Sequence, residues 1–115
     1  MRLLVVEDDQ AIAESIRLIL EESYAVTVFD GAGAIPDGPV PSLVITDLWS
    51  RGGYDSASAV RTVREARLRT GAPVLVLTAH GAATGDGDLA SVASGVLTKP
   101  FQMDELLAVV ERLAF

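Results

Sequence analysis

Two stretches of the chain are apolar almost from end to end and show no alternation of apolar and polar residues. They are residues 42–47 (SLVITD) and 74–78 (VLVLT). Runs of this kind are typical of strands that are buried on both faces, as in the middle of a parallel sheet. The first run ends on Asp47, and ligands of open parallel sheets bind beyond the carboxyl ends of the strands. Asp47 is therefore either a chemical group of a site or a residue that only caps a turn.

Three further stretches rich in apolar residues, residues 2–6, 24–29 and 95–98, add strands to the same sheet. Between the strands, apolar residues recur with the period of an amphipathic helix. They are Ile12, Ile16, Ile19 and Leu20 after the first strand, Ala59, Val60, Val63 and Ala66 after the third, and Leu106, Val109, Val110 and Leu113 after the last. Strands that alternate with helices predict a parallel sheet with both faces covered and right-handed crossovers.

The helix boundaries have candidate signals. Asp8 or Asp9 can cap the helix after the first strand, and Asp55 or Ser56 can cap the helix after the third. Gly71 is a plausible end of that helix.

Two segments predict little regular helix. Residues 30–41 are rich in proline and glycine, so the second helix is expected to be short or absent. Gly81, Gly85 and Gly87 each cost up to about 1 kcal/mol of helix propensity, so the fourth helix is expected to be regular only around residues 89–93. We therefore predict an α/β domain over residues 1–115. Its doubly wound five-stranded parallel sheet has the order 2-1-3-4-5, and its second and fourth helices are shortened.

Composition excludes several functions. The chain has no cysteine, so it has no disulfide framework, thiolate metal site or cysteine nucleophile, which suits a reducing compartment such as the cytoplasm. Its net charge of −7 disfavours binding to nucleic acid or anionic lipid. The arginines between positions 61 and 69 are best interpreted as a solvated helix face. The N-terminal apolar run is too short for a signal peptide or a membrane span, and His80, the only histidine, is expected on a surface loop.

Polar side chains stand at the ends of four predicted strands. The first strand leads into Glu7 and Asp8, the third ends at Asp47, the fourth at Thr78, and the last leads into Lys99, the only lysine. In the predicted sheet these ends share one edge. Oxygen ligands without histidine or cysteine suit Mg²⁺ with room left for water and phosphate. A hydroxyl and a lysine beside such a metal form a receptor for a phosphoryl group, in which a carboxylate can be the nucleophile.

Four motifs in this order resemble the receiver domain of two-component response regulators, the CheY-like family with a flavodoxin-like fold. They are residues 5–9 (VVEDD), 44–47 (VITD), 76–79 (VLTA, ending at Ala79) and 98–101 (TKPF), and the resemblance covers essentially the whole chain. It implies that Asp47 accepts a phosphoryl group from a histidine kinase or a phosphotransfer protein. It also implies that the chain catalyses only its own phosphorylation and dephosphorylation and acts on a downstream partner or output domain.

The resemblance also implies roles for the neighbouring residues. Asp8 would bind Mg²⁺ directly together with Asp47, Glu7 would bind it through water, and Trp49 would offer its backbone carbonyl. Thr78 and Lys99 would each contact a phosphoryl oxygen. The peptide bond between Lys99 and Pro100 is usually cis in this family, an isomer that proline makes accessible.

The sequence departs from the family pattern in the output region and around the acceptor. The proline usual after the phosphoacceptor is missing from a loop, residues 50–53, that is one residue longer, and Ser56 replaces a glycine. Val96 stands at the switch position on the last strand, where the family has an aromatic residue that turns inward when the threonine moves. We hypothesise that signalling uses residues 79–88 instead.

Three other functions are compatible with parts of the pattern. A receiver-like interaction module could work without phosphorylation, although Asp47, Thr78 and Lys99 argue against it. A flavodoxin-like cofactor binder would need a glycine- and hydroxyl-rich loop after the first strand, where this chain has acids. A Mg²⁺-dependent phosphatase with an aspartyl nucleophile would need an acid at position 49, where Trp49 stands. The pattern is compatible both with a domain that works alone and with one that is part of a longer protein.

Overall fold

The core of the structure is one parallel sheet. The computed structural model describes residues 1–31, 35, 38–48 and 53–114. Their strands run in the order β2-β1-β3-β4-β5, and all neighbouring strands are parallel. This confirms the predicted fold class and strand order. The strands are β1 (Arg2–Val6), β2 (Ala25–Phe29), β3 (Leu43–Asp47), β4 (Val74–Thr78) and β5 (Gly95–Thr98).

Helices cover both faces of this sheet. They are α1 (Gln10–Leu20), α2 (Ser56–Thr70), α3 (Gly87–Val92) and α4 (Met103–Ala114), with a 3₁₀ helix at Gly81–Gly85. Among the described residues, no helix is long and apolar enough to cross a membrane.

Aspartates fix where three of the helices begin. Asp9 caps α1, Asp55 caps α2 and Asp86 caps α3, each accepting hydrogen bonds from two backbone N–H groups of the first turn. Such caps satisfy N–H groups that have no partner within the helix. Of the alternatives in the sequence, Asp9 and Asp55 are therefore the caps. Gly71 ends α2 in the left-handed conformation, with φ of 71°.

Successive side chains along each strand point to opposite faces of the sheet, so the core has two parts. We call the side covered by α1 and α4 the α1/α4 face and the side covered by α2 and α3 the α2/α3 face. The buried residues of the α1/α4 face are Leu3, Val5, Ile16, Leu20, Leu43, Ile45, Leu75, Leu77, Leu106 and Val110. Those of the α2/α3 face are Leu4, Val6, Val44, Ala59, Val63, Ala66, Ala72, Val74, Val76, Ala83 and Leu89.

The two segments with weak helix signals differ from each other. Between β2 and β3, no described residue lies in a helix, in agreement with the prediction for residues 30–41. The fourth segment is more regular than predicted, because a 3₁₀ helix precedes α3 and α3 begins at Gly87. Two local contacts explain this order. The Thr84 hydroxyl donates to the carbonyl of Gly81 at 2.7 Å, and the Asp86 cap offsets the low helix propensity of the glycines.

Candidate functional site

The carboxyl ends of β1 and β3 bring three carboxylates together. These strands are neighbours, and Val6 pairs with Thr46, so the residues that follow each of them reach the same level of the edge. Carboxylate oxygens of Glu7, Asp8 and Asp47 all lie within 4.8 Å of one another. The grouping expected from the strand ends is therefore present.

Lys99 points into this acidic group from the end of β5. Its Nζ lies 2.8 Å from Oδ1 of Asp47 and 3.5 Å from Oε2 of Glu7. Lys99 is placed by its backbone, whose N–H donates to the carbonyl of Thr78 at 2.8 Å and extends the β4–β5 ladder by one bond. Because Asp47 is also buried, this ion pair is shielded from solvent better than a surface pair.

Glu7 is the most buried acid of the group. Burial is the main cause that raises the pKa of its carboxyl to about 7, and the Asp47 charge raises it further. The N–H of Asp9, which donates to Oε1 at 3.1 Å, and the Lys99 charge act in the opposite direction. Among the described residues, no group hydrogen-bonds Oε2 of Glu7, since 3.5 Å to Nζ is an ion-pair distance.

This donor set fits a hard divalent cation. Three carboxylates from two strand ends supply oxygen ligands, and one carboxylate oxygen is buried without a hydrogen bond. Buried polar atoms of this kind are rare and call for a partner such as an ion. Proteins usually hold Mg²⁺ beside a phosphate with only a few carboxylates.

Thr78 ends β4, and its side chain lies on the other face of the sheet from those of Asp47 and Lys99. It is fully buried and continues the row of Val74 and Val76 on the α2/α3 face. Its Oγ1 accepts a hydrogen bond from the backbone N–H of His80 at 3.0 Å. The hydroxyl is therefore tied to the segment that follows β4.

Of the remaining residues singled out in the sequence, Ala79, Val96 and Pro100 lie among the described residues. The Lys99–Pro100 peptide bond is cis. Ala79, next to Thr78, is exposed, and Val96 is half-buried against the α2/α3 core, where it pairs with Val76 across the β4–β5 ladder. Trp49 lies outside the described residues, as do positions 50–52 of the longer loop.

Sequence reasoning missed the contacts of Tyr54 and the burial of His80. The Tyr54 hydroxyl donates to Oδ2 of Asp86 at 2.5 Å, and its ring lies 6.2 Å from the His80 ring between centroids. His80 lies in the irregular segment between β4 and the 3₁₀ helix, as expected for a loop residue, and is half-buried with its ring beside that of Tyr54. The spacing of 32 residues between Tyr54 and Asp86 gives no local signal for this pair.

Tyr54 also borders a groove beside the acidic group. The groove has a volume of about 620 Å³ and runs along α2, with Val6, Phe29, Leu48 and Ala59 among its apolar lining and Asp47 at its edge. Asp47 is one of the residues that line this groove, although its side chain is buried.

Comparison with known proteins matches this arrangement. A family model for the response regulator receiver domain matches residues 3–111. Over 121 residues the chain is 37% identical to the transcriptional regulatory protein TcrA of Mycobacterium tuberculosis, covering 99% of this chain and 46% of TcrA. Over 116 residues it is 40% identical to the transcriptional regulatory protein DltR of Streptococcus agalactiae, covering 94% of this chain and 49% of DltR. The chain thus spans about half the length of these curated relatives.

One solved structure of similar fold is a complex with ligands. It is the response regulator protein TrrA from Thermotoga maritima, in complex with Mg²⁺-BeF. The TM-score is 0.72 at 26% identity, over 97% of each chain. With the family match and the strand-end site, this similarity shows that the chain belongs to the response regulator receiver domain family, the phosphorylatable signalling switches of two-component systems.

Proposed function

We propose that Asp47 is the phosphoacceptor of this receiver domain. The observation that carries the proposal is the contact of Lys99 Nζ with Oδ1 of Asp47 at 2.8 Å, within a group of three carboxylates at the sheet edge. A buried carboxylate held by a lysine is positioned as a nucleophile, and the lysine remains to neutralise phosphoryl oxygens after transfer.

The transfer itself is a displacement at phosphorus. An oxygen of Asp47 forms the new O–P bond while the bond from phosphorus to the donor breaks, and the electron pair of that bond leaves with the donor. With a phosphohistidine donor, the leaving imidazole takes up a proton from solvent. Thr78 and Lys99 each contact an oxygen of the transferred group in this proposal, one from each face of the sheet. The product is an acyl phosphate on Asp47.

Glu7, Asp8 and Asp47 are the residues that we assign to Mg²⁺, with the backbone carbonyl of Trp49 as a further ligand. The metal would offset the repulsion between these carboxylates and the incoming phosphoryl oxygens. The orphaned oxygen of Glu7 supports this assignment.

The donor is proposed to be a histidine kinase or a phosphotransfer protein in the cytoplasm. The phosphorylated domain then acts on a downstream partner or an output domain. The curated relatives, which are transcriptional regulators about twice as long, support an output of this kind. The reaction is confined to the domain's own phosphorylation and dephosphorylation.

The test is the intact mass of the protein after incubation with Mg²⁺ and acetyl phosphate. The wild type is expected to gain one phosphoryl group and Asp47→Asn none. Asp55→Asn is the matched control. It removes a nearby acid, but asparagine caps a helix as well as aspartate, so α2 is kept and the variant gains the group like the wild type. A gain in Asp47→Asn would show that the acceptor is another residue.

Metal binding is measured separately. Trp49 is the only tryptophan, so its fluorescence reports on the loop after Asp47. Adding Mg²⁺ is expected to change this fluorescence in the wild type, and Asp8→Asn is expected to weaken the response at least about tenfold in Mg²⁺ concentration. An equal response in both proteins would remove Asp8 from the ligand set.

A further inference from the structure

The family's aromatic switch on β5 is absent, so a change at Thr78 needs another route. Val96 is half-buried and packs against the α2/α3 core, and it carries no polar group to exchange partners. Thr78 itself makes a contact that leads elsewhere, because its Oγ1 accepts from the N–H of His80 at 3.0 Å.

An aromatic residue does meet this segment, from a different element. Tyr54, which precedes α2, places its ring against that of His80, with centroids 6.2 Å apart and planes tilted by 46°. The Tyr54 hydroxyl donates to Oδ2 of Asp86 at 2.5 Å. Tyr54, at the start of α2, therefore contacts the segment that follows β4 through both its ring and its hydroxyl.

Asp86 is the point at which these contacts converge. Its other oxygen, Oδ1, accepts from the N–H groups of Asp88 at 3.0 Å and Leu89 at 3.3 Å and so begins α3. Hydrogen bonds from the Ser56 and Tyr54 hydroxyls hold the pKa of the Asp86 carboxyl below its usual range. One carboxylate thus joins the start of α2 to the start of α3.

We infer that Tyr54 and Asp86 form a latch that reports the state of Thr78 in place of the missing β5 aromatic. The inference rests on the proposed function. When the Thr78 hydroxyl moves toward a phosphoryl group on Asp47, the N–H of His80 loses its acceptor and the His80 ring shifts against Tyr54. The Tyr54–Asp86 hydrogen bond then weakens, and the 3₁₀ helix and α3 loosen together. Residues 81–92 are the segment that changes.

The experiment compares amide hydrogen exchange of residues 81–92 with and without phosphorylation by acetyl phosphate and Mg²⁺. Intact mass on the same samples gives the phosphoryl occupancy. In the wild type, phosphorylation is expected to speed exchange in this segment about tenfold, the loss of one hydrogen bond to a charged acceptor. Tyr54→Phe removes only the hydroxyl, so its segment is expected to exchange about tenfold faster without phosphorylation, with less than about a twofold further increase afterwards.

Tyr24→Phe is the matched control, since Tyr24 is the only other tyrosine and packs at the α1/α4 face. In Tyr24→Phe, amide exchange of residues 81–92 should match that of the wild type both with and without phosphorylation. Tyrosine labelled with ¹³C at Cζ adds a direct signal. The Tyr54 resonance, assigned by its loss in Tyr54→Phe, shifts on phosphorylation, and the Tyr24 resonance does not.

The outcomes separate this inference from the proposed function. A wild type that gains the phosphoryl group without a change in the Tyr54 resonance or in exchange overturns the latch and leaves Asp47 as the acceptor. Equal exchange in unphosphorylated Tyr54→Phe and wild type also overturns the latch. A wild type that gains no phosphoryl group overturns both, because the latch then has no signal to report.

Discussion

The two faces of the sheet are held by different kinds of contact. The α1/α4 face is built mainly from leucine and isoleucine, and α1 and α4 rest on it through apolar side chains. The α2/α3 face is built mainly from valine and alanine. Here polar contacts join the two helices at both ends: Tyr54 donates to Asp86 near their starts, and Nη1 of Arg67 donates to the carbonyl of Val92 at 3.0 Å near their ends.

Because of this difference, we expect the two faces to differ in how easily they rearrange. Burial of large apolar side chains is non-directional, and each such side chain stabilises by roughly 1.5–3 kcal/mol, so the α1/α4 face resists rearrangement. A hydrogen bond contributes less and depends on geometry, so it is lost after a small displacement. Glu7, Asp47 and Lys99 continue strand rows that face α1 and α4, whereas Thr78 continues a row that faces α2 and α3. The proposed acceptor Asp47 thus lies on the face held by apolar packing, and the hydroxyl of Thr78, which we propose to respond, lies on the face held partly by hydrogen bonds.

The largest expected effect tests the rigidity of the α1/α4 face. Leu20 is 0% exposed in α1, and Leu20→Ala is expected to lower the free energy of unfolding by about 3 kcal/mol because it leaves a cavity among large neighbours. Leu18, in the same helix, is 57% exposed, and Leu18→Ala should change stability by less than about 0.5 kcal/mol. Urea unfolding measures both. Similar losses of unfolding free energy in Leu20→Ala and Leu18→Ala would show that the packing of Leu20 does not stabilise the α1/α4 face.

The second effect concerns the buried carboxyl of Glu7, which lies on the α1/α4 side of the sheet. The pKa of Glu7 is raised to about 7 in the fold, from 4.5 when it is free. Between these values the folded protein keeps a proton that the unfolded chain has lost, so metal-free stability falls as the pH rises from about 4.5 through about 7. Glu7→Gln cannot ionise, and above pH 7 it should be more stable than the wild type by on the order of 2 kcal/mol.

Urea unfolding at pH 5 and at pH 8, with EDTA present, measures this difference. The gain from Glu7→Gln should be small at pH 5 and large at pH 8. Saturating Mg²⁺ is the control, since a cation beside the carboxylate stabilises its charged form and so narrows the gap at pH 8. A gain that is the same at both pH values would mean that Glu7 titrates normally.

The smallest effect belongs to the α2/α3 face. Val63 is 0% exposed in α2, and Val63→Ala removes two methyl groups at about 0.8 kcal/mol each, so a loss of about 1.5 kcal/mol is expected. Leu68, 87% exposed in the same helix, supplies the control as Leu68→Ala, which should be nearly neutral. Thermal unfolding at constant pH compares the two. A loss for Val63→Ala as large as that for Leu20→Ala would mean that both faces are packed alike.

The sequence predicts the parts of the molecule that obey local rules. Buried apolar runs predict the strands, and their alternation with helical patterns predicts the parallel sheet and its order. Because parallel strands end at one edge, the polar residues at those ends predict the approach of Glu7, Asp8, Asp47 and Lys99. The ion pair at 2.8 Å between Lys99 and Asp47 follows from this placement.

The parts that escaped prediction depend on how two elements sit relative to each other. The Tyr54–Asp86 bond exists because α2 and α3 begin side by side, which no spacing within either segment encodes. The half-burial of His80 follows from the same neighbour. Residues 81–85 are more regular than the helix propensity of their glycines predicts, because propensity does not include the Thr84 contact and the Asp86 cap.

The alternation of side chains along β4 limits how this domain can change in evolution. Leu77 and Thr78 are adjacent, yet they serve opposite faces of the sheet. Inserting or deleting one residue within β4 would reverse every following side chain and turn the hydroxyl toward α1 and α4, away from His80. Between Asp47 and α2, no described residue belongs to a strand, so such an alternation does not constrain them. Related domains should therefore differ in length in that segment and keep the length of β4 unchanged.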